Sequence, residues 1–319
     1  MPKQGCLGCS FPIIIGSVVI LLVLFIVGFA SGPLGKSMLG DLGLPSWLSV
    51  PRPEPELPAA EIFHLFGFPI TNSIIAAWLT IIVLVGFAYA ATRRPKLIPA
   101  KLQNMLEFLL EALLKFCQSV AGEKNGRRFF PIVTTIFLFV AFNTWLSLLP
   151  GFGSIEITTA EGEHVHLLRG ANTDINMPLA IALISFVFVE YFGLRLLGVR
   201  YLKKFINVGQ FFRSLGQIGR GRFREGLSGL ITGLINIFVG FLEALSEIVR
   251  IVSFTFRLFG NMTAGEILLL IAAFLIPWVF ALPFYGLELL VGFVQALIFA
   301  GLTLVFLTLA VAHHGKQEP

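Results

Sequence analysis

From Gly226 to Ile276 the sequence stays apolar with few breaks. A helix of about fifty residues is about 75 Å long, against a bilayer hydrocarbon core of about 30 Å. Such a helix cannot stand upright in a membrane and must run strongly tilted or bent. Pro277 and Pro283 then turn the chain into a last apolar run, Phe284 to Ala312.

Four earlier runs, Phe11 to Ala30, Ile70 to Ala91, Phe129 to Leu149 and Ile175 to Leu197, each reach the roughly twenty residues that one crossing needs. The composition agrees: 56% of residues are hydrophobic and 13% charged, far outside the balance of a soluble domain. The chain reads as an all-α polytopic membrane protein. Five transmembrane helices, the last two a long tilted pair, follow an additional N-terminal apolar helix.

That first run reads as an uncleaved anchor, with a signal sequence cut near Phe29 to Gly32 as the alternative. Residues 31 to 60 carry Pro45, Pro51, Pro53, Pro55 and Pro58 and read as an extended linker. The organisation expected is an anchor and linker over 1–60 and a membrane domain over 61–319. Gly35-Lys36-Ser37 resembles the tail of a phosphate loop, but Ala30 stands where that motif needs glycine and no strand precedes it, so no nucleotide site follows. Lys101 to Glu123 alternates leucines with Glu107, Glu111 and Lys115, the period of a surface amphipathic helix and not of a span.

Basic residues assign orientation. Arg93, Arg94, Lys96, Lys101, Arg127 and Arg128 fall in one loop, and Arg200, Lys203, Lys204, Arg213, Arg220, Arg222 and Arg224 in another, which makes both loops cytoplasmic. The other side holds Lys36, Arg52 and Arg169. Six spans with both termini inside follow, or five if the first run is cleaved. The basic residues behind the net charge of +5 thus report orientation in membrane lipid, and nucleic acid as a partner has no support. Cys6 and Cys9 form one C-x-x-C pair without a second, so neither a disulfide framework nor a metal site is expected. His313 and His314 read as a solvated tail, and no cofactor is implied.

The chemistry lies in polar residues inside the spans. Asn236, Glu243, Arg250 and Arg257 recur every seven residues and so stay on one helical stripe. Asn261 follows Arg257 by four and shares its face. Glu247 is within reach of Glu243 and Arg250, so those three can neutralise one another. Arg257 has no acid three or four positions away, and a lone guanidinium in hydrocarbon costs several kcal/mol. Glu266 lies nine residues beyond, on the opposite side of the helix. On the last span Glu288 and Gln295 are seven apart and share a face. A carboxylate set in an apolar wall can take and release protons, whereas arginine cannot deprotonate and so blocks direct passage. Asp174 reads as a helix cap or as a residue feeding protons inward, and Glu190 as snorkelling or functional.

The run Arg257-Leu258-Phe259-Gly260-Asn261-Met262, then Ala264-Gly265-Glu266, resembles the signature of subunit a of F-type ATP synthases. Gln295 within Val294 to Phe299, and Asp174-Ile175-Asn176, resemble two further motifs of that family. The likeness runs from about residue 60 to 312. It implies a stator subunit in the cell membrane, its C-terminus cytoplasmic, working against a ring of c subunits with peripheral-stalk b subunits and the other synthase subunits as partners. It implies an inlet past Asp174, Asn261, Glu266, Glu288 and Gln295, an outlet at Glu243 with Ser246 and Glu247, and Arg257 between the two paths. Where some bacterial relatives place a histidine opposite the first glutamate, this chain has glutamate at both 266 and 288. A subunit of this kind is catalytic only within its complex.

Two other classes compete. A stand-alone secondary transporter or ion channel usually shows two similar halves, and no internal repeat is visible. An intramembrane hydrolase needs a nucleophile with a membrane histidine, and the spans carry none.

Overall fold

The computed structural model describes residues 11–40, 42–53, 58–93, 95, 101–158, 164–198, 201, 205, 209–219 and 223–312. Cys6, Cys9, His313, His314 and the loop residues Arg94, Lys96, Arg200, Lys203, Lys204, Arg220 and Arg222 lie outside them. In chain order the elements are α1 (Phe11–Ser31), α2 (Pro33–Leu39), a 3-10 turn at Ser46–Leu48, β1 (Glu61–Leu65), β2 (Phe68–Thr71), α3 (Asn72–Thr92) and α4 (Lys101–Ser147). Then come β3 (Glu156–Thr158), β4 (His164–His166), a 3-10 turn at Ala171–Thr173, α5 (Asn176–Leu197), α6 (Gly209–Gly219), α7 (Phe223–Leu275) and α8 (Leu282–Ala312). Six of these helices, α1, α3, α4, α5, α7 and α8, are long and apolar enough to cross a membrane. The architecture is all-α and polytopic, with the extra N-terminal helix in place.

The uninterrupted apolar sequence after Gly226 is one helix, α7, of 53 residues. The amphipathic segment and the span that follows it are merged in α4, but Gly122 interrupts the helix with φ 77° and ψ 166°, a conformation that glycine adopts without steric cost. Gly126 lets the two arms close up, since a Cβ there would stand 2.7 Å from the Cα of Gln118. They are two helices meeting at a corner.

Two expectations need correction. The stretch 31–60 is not wholly extended: Pro33 sits in the first turn of α2, where its missing N–H has no helical partner to lose and its fixed φ favours the helix. The span expected from Ile70 begins at Asn72, because Ile70 pairs with Phe63 in the antiparallel hairpin β1–β2. Phe66 and Gly67, both at positive φ, make the tight turn that joins these strands. A second short hairpin pairs β3 with β4.

The chain divides into two compact units. The first comprises residues 1–77, 143–174 and 260–294, and the second 78–142, 175–259 and 295–319. The interior of the second unit is mostly aromatic and aliphatic. Phe129 meets Phe192 edge-on with centroids 5.3 Å apart, and Phe254 lies 4.8 Å from Phe299. Leu304 and Leu307, in the same unit, are fully buried. Two polar contacts lie within it: Ser185 bonds Thr303 at 2.8 Å, and Tyr201 donates to Glu190 at 3.0 Å. Burial, reinforced by the Glu190 carboxylate, pushes the Tyr201 phenol far above its ordinary pKa, so it remains a donor. The interior of the first unit holds more amide and carboxylate side chains. Asn72, Ser73, Asn143, Thr144, Asn172, Asp174 and Glu288 are all buried there.

Candidate functional site

The polar interior of the first unit surrounds a cavity of about 460 Å³. Pro53 and four segments build it: the start of α3, the stretch from Thr144 to Thr173, Met262 to Leu270, and Tyr285 to Glu288. A hydrogen-bonded frame holds these together. Asn143 Oδ1 accepts from the backbone N–H of Asn172 at 3.2 Å, and Asn172 Nδ2 donates to Thr144 Oγ1 at 3.3 Å. Asn72 Nδ2 donates to the carbonyl of His166 at 3.1 Å. Gly292 brings α8 close, because a Cβ there would run into the Thr144 side chain.

Two carboxylates line this cavity, Glu266 and Glu288. Glu266 accepts from Arg169 at 3.3 Å, and the same guanidinium donates to the carbonyl of Pro58 at 3.0 Å. Glu288 is 6% exposed and, among the described residues, has no hydrogen bond or ion pair. Its carboxylate occupies the space that a side chain at 265 would need, and Gly265 vacates it. Three further wall atoms, Asn72 Oδ1, Asn172 Oδ1 and Thr263 Oγ1, are buried without a protein partner among the described residues. Orphaned acceptors around a space of this size suit water, with room for on the order of ten molecules. Such a chamber can carry protons from water to a carboxylate.

Asp174 stands in the same unit but not on the cavity wall. Its Oδ2 accepts from Ser73 at 2.7 Å. Asn261 is exposed. The other expected residues fall in the second unit. Glu243 is half-buried and Gln295 is buried at 3%. Arg257 is half-buried, its guanidinium 5.9 Å from the Phe254 ring centre, and among the described residues no acid pairs with it. Arg250, by contrast, is an ion-pair partner of Glu247 and lies 3.7 Å over the ring of Phe306. Among the described residues no group of three metal-ligating side chains occurs.

Sequence reasoning passed over Arg169 and Gly265. Arg169 entered only as a charge marking orientation, although Arg169-Gly170 lies just before Asp174; Gly265 stood in the motif without a role.

The sequence matches the ATP synthase A chain family over residues 74–308. The chain belongs to that family. Subunit a of ATP synthase from Desulfosudis oleivorans is 31% identical over 81% of this chain and 98% of its own length. Those of Moorella thermoacetica, at 28% over 80% and 97%, and Gloeobacter violaceus, at 31% over 77% and 86%, are similar. The motif from Arg257 to Glu266, Gln295 and Asp174 all lie inside the matched region, and so do the cavity-wall residues from Thr144 onward. The N-terminal helix α1 and the stretch to Thr71 precede it. This family member is a multi-pass membrane protein.

Proposed function

We propose that the chain is the proton-conducting stator subunit a of an F-type ATP synthase in the cell membrane, its C-terminus on the cytoplasmic side. It works against a ring of c subunits, each bearing one carboxylate, and is braced by peripheral-stalk b subunits. The observation that carries the reading is Arg257, a cation in an apolar helix that no described acid neutralises. A charge so placed needs a partner outside the chain, and a carboxylate passing on a moving subunit fits it. The chamber bearing Glu266 and Glu288, with room for several waters, supports the inlet half of the same reading.

Protons enter from the outer side past Asp174 and reach the ring through Glu266 and Glu288, with Asn261 and Gln295 on the path. The protonated site turns into lipid and, after most of a revolution, loses its proton at an outlet lined by Glu243. Arg257 favours the anion there and prevents a direct passage, because it cannot give up its own proton. Rotation is thereby tied to the proton gradient.

ATP-driven acidification of inverted membrane vesicles tests this, comparing the natural chain with Arg257→Ala at matched assembly of the complex. Pumping disappears in the variant if Arg257 separates the two paths. Unchanged pumping makes it a structural charge and removes the mechanism. In the same assay Glu266→Ala and Gln295→Ala give partial losses.

A further inference from the structure

The first sixty residues precede the matched region of the family, yet within the first unit they meet its later segments at several independent points. Gly28 on α1 and Gly32 just past its end, whose N–H donates to the Gly28 carbonyl, lie against the backbone where α7 ends. A Cβ at Gly28 would collide with the Pro277 carbonyl, and one at Gly32 with that of Leu275. Glycine alone permits so close a backbone approach, as in the small-xxx-small contacts by which membrane helices associate. Elsewhere α1 is different: Gly16 has nothing within 4 Å, and Ile13 to Ile26 carry mostly exposed apolar side chains.

The second point is the carbonyl of Leu48. Ser31 Oγ lies 3.1 Å from it, and Trp278 Nε1 donates to it at 3.3 Å. Trp278 has φ 77°, a conformation that bulky residues adopt only when their surroundings hold them in it. The N-terminal segment supplies that hold. Beyond it, Pro53 forms part of the cavity wall, and the Pro58 carbonyl accepts from Arg169.

We propose that α1 is a retained membrane helix that clamps the turn between α7 and α8. Gly28 and Gly32 seat the helix on Leu275 and Pro277, and Leu48 fastens Trp278. This turn joins the two segments that carry Glu266 and Glu288, so the clamp holds both carboxylates at the cavity; that consequence, though not the clamp, rests on the proposed function. Cleavage near Gly32 would remove the helix from the turn.

The test keeps the full chain in its assembled complex. A site-specific protease sequence is inserted between Pro53 and Pro58, the complex is cut in mild detergent, and the rest of the chain is recovered through a C-terminal tag. The N-terminal fragment remains bound in the natural chain and in Gly16→Leu, which adds the same bulk where there is room. It is lost in Gly28→Leu with Gly32→Leu. Loss from the natural chain, or equal retention in the double variant, overturns the clamp. So does an intact mass of the uncut subunit showing that the residues before Gly32 have been removed. None of these readouts depends on proton pumping.

Discussion

Arg169 is 8% exposed and holds Glu266 at 3.3 Å while its other terminal nitrogen is fixed by the Pro58 carbonyl. A hydrogen bond to a charged group contributes about 1.5–3 kcal/mol, and two bonds from one rigid fork fix direction as well as distance. Arg169→Ala therefore slows ATP-driven acidification severalfold with the complex still assembled. Arg169→Lys, which keeps the charge but not the fork, falls between it and the natural chain. Equal rates in all three would mean that the pair holds nothing the inlet uses.

At Gly265 the expected effect is steric. An alanine methyl there takes the space of the Glu288 carboxylate, which must leave the wall or push the two segments apart. Gly265→Ala is expected to depress pumping about as far as Glu288→Ala does, and the two together no further than either alone, since both act on one group. Gly86→Ala, at a helical glycine with nothing within 4 Å, leaves the rate unchanged. Additive losses in the pair would separate the two residues.

Spans were legible because roughly twenty apolar residues admit few other structures; that is why α7 is found as one helix and α1 as a further one. The corner at Gly122 was half visible, as a change from amphipathic to apolar sequence, but the positive φ that makes it is a property of the folded backbone. Ile70 and Thr71 looked like the start of a span since strand and helix residues are equally apolar there, and the Phe66-Gly67 turn that pairs them is short. Arg169 and Glu266 are 97 residues apart, so no spacing rule could join them. Arg257 was the opposite case. Its isolation is local, written in the absence of nearby acids, and the folded chain leaves it without one among the described residues.

Ser73 tests whether Asp174 must be held. The two are buried and bonded at 2.7 Å. Removing a hydroxyl that satisfies a buried group costs roughly 1–3 kcal/mol. Ser73→Ala is expected to lower the thermal midpoint of the detergent-solubilised complex and to reduce pumping. Ser73→Thr keeps the hydroxyl and restores much of both. A variant that pumps normally while losing stability would make Asp174 a structural group and not part of the proton path.

Arg250 and Arg257 share a stripe of α7 yet differ in what surrounds them, and their variants should differ accordingly. Arg250 is closed off by Glu247 and the Phe306 ring, whereas Arg257 has only the more distant ring of Phe254. A cation over a ring at this range contributes about 0.5–2 kcal/mol, and truncating one partner of a mostly buried ion pair leaves the other charge unsatisfied. Arg250→Ala is therefore expected to lower the amount of assembled complex and its thermal midpoint, while the pumping rate per assembled complex stays near natural. Phe306→Leu reproduces a smaller part of the same loss. Arg257→Ala shows the reverse pattern, normal assembly without pumping. If Arg250→Ala instead assembles fully and uncouples ATP hydrolysis from proton transfer, then its pairing with Glu247 is not a lock, and the outlet includes both residues.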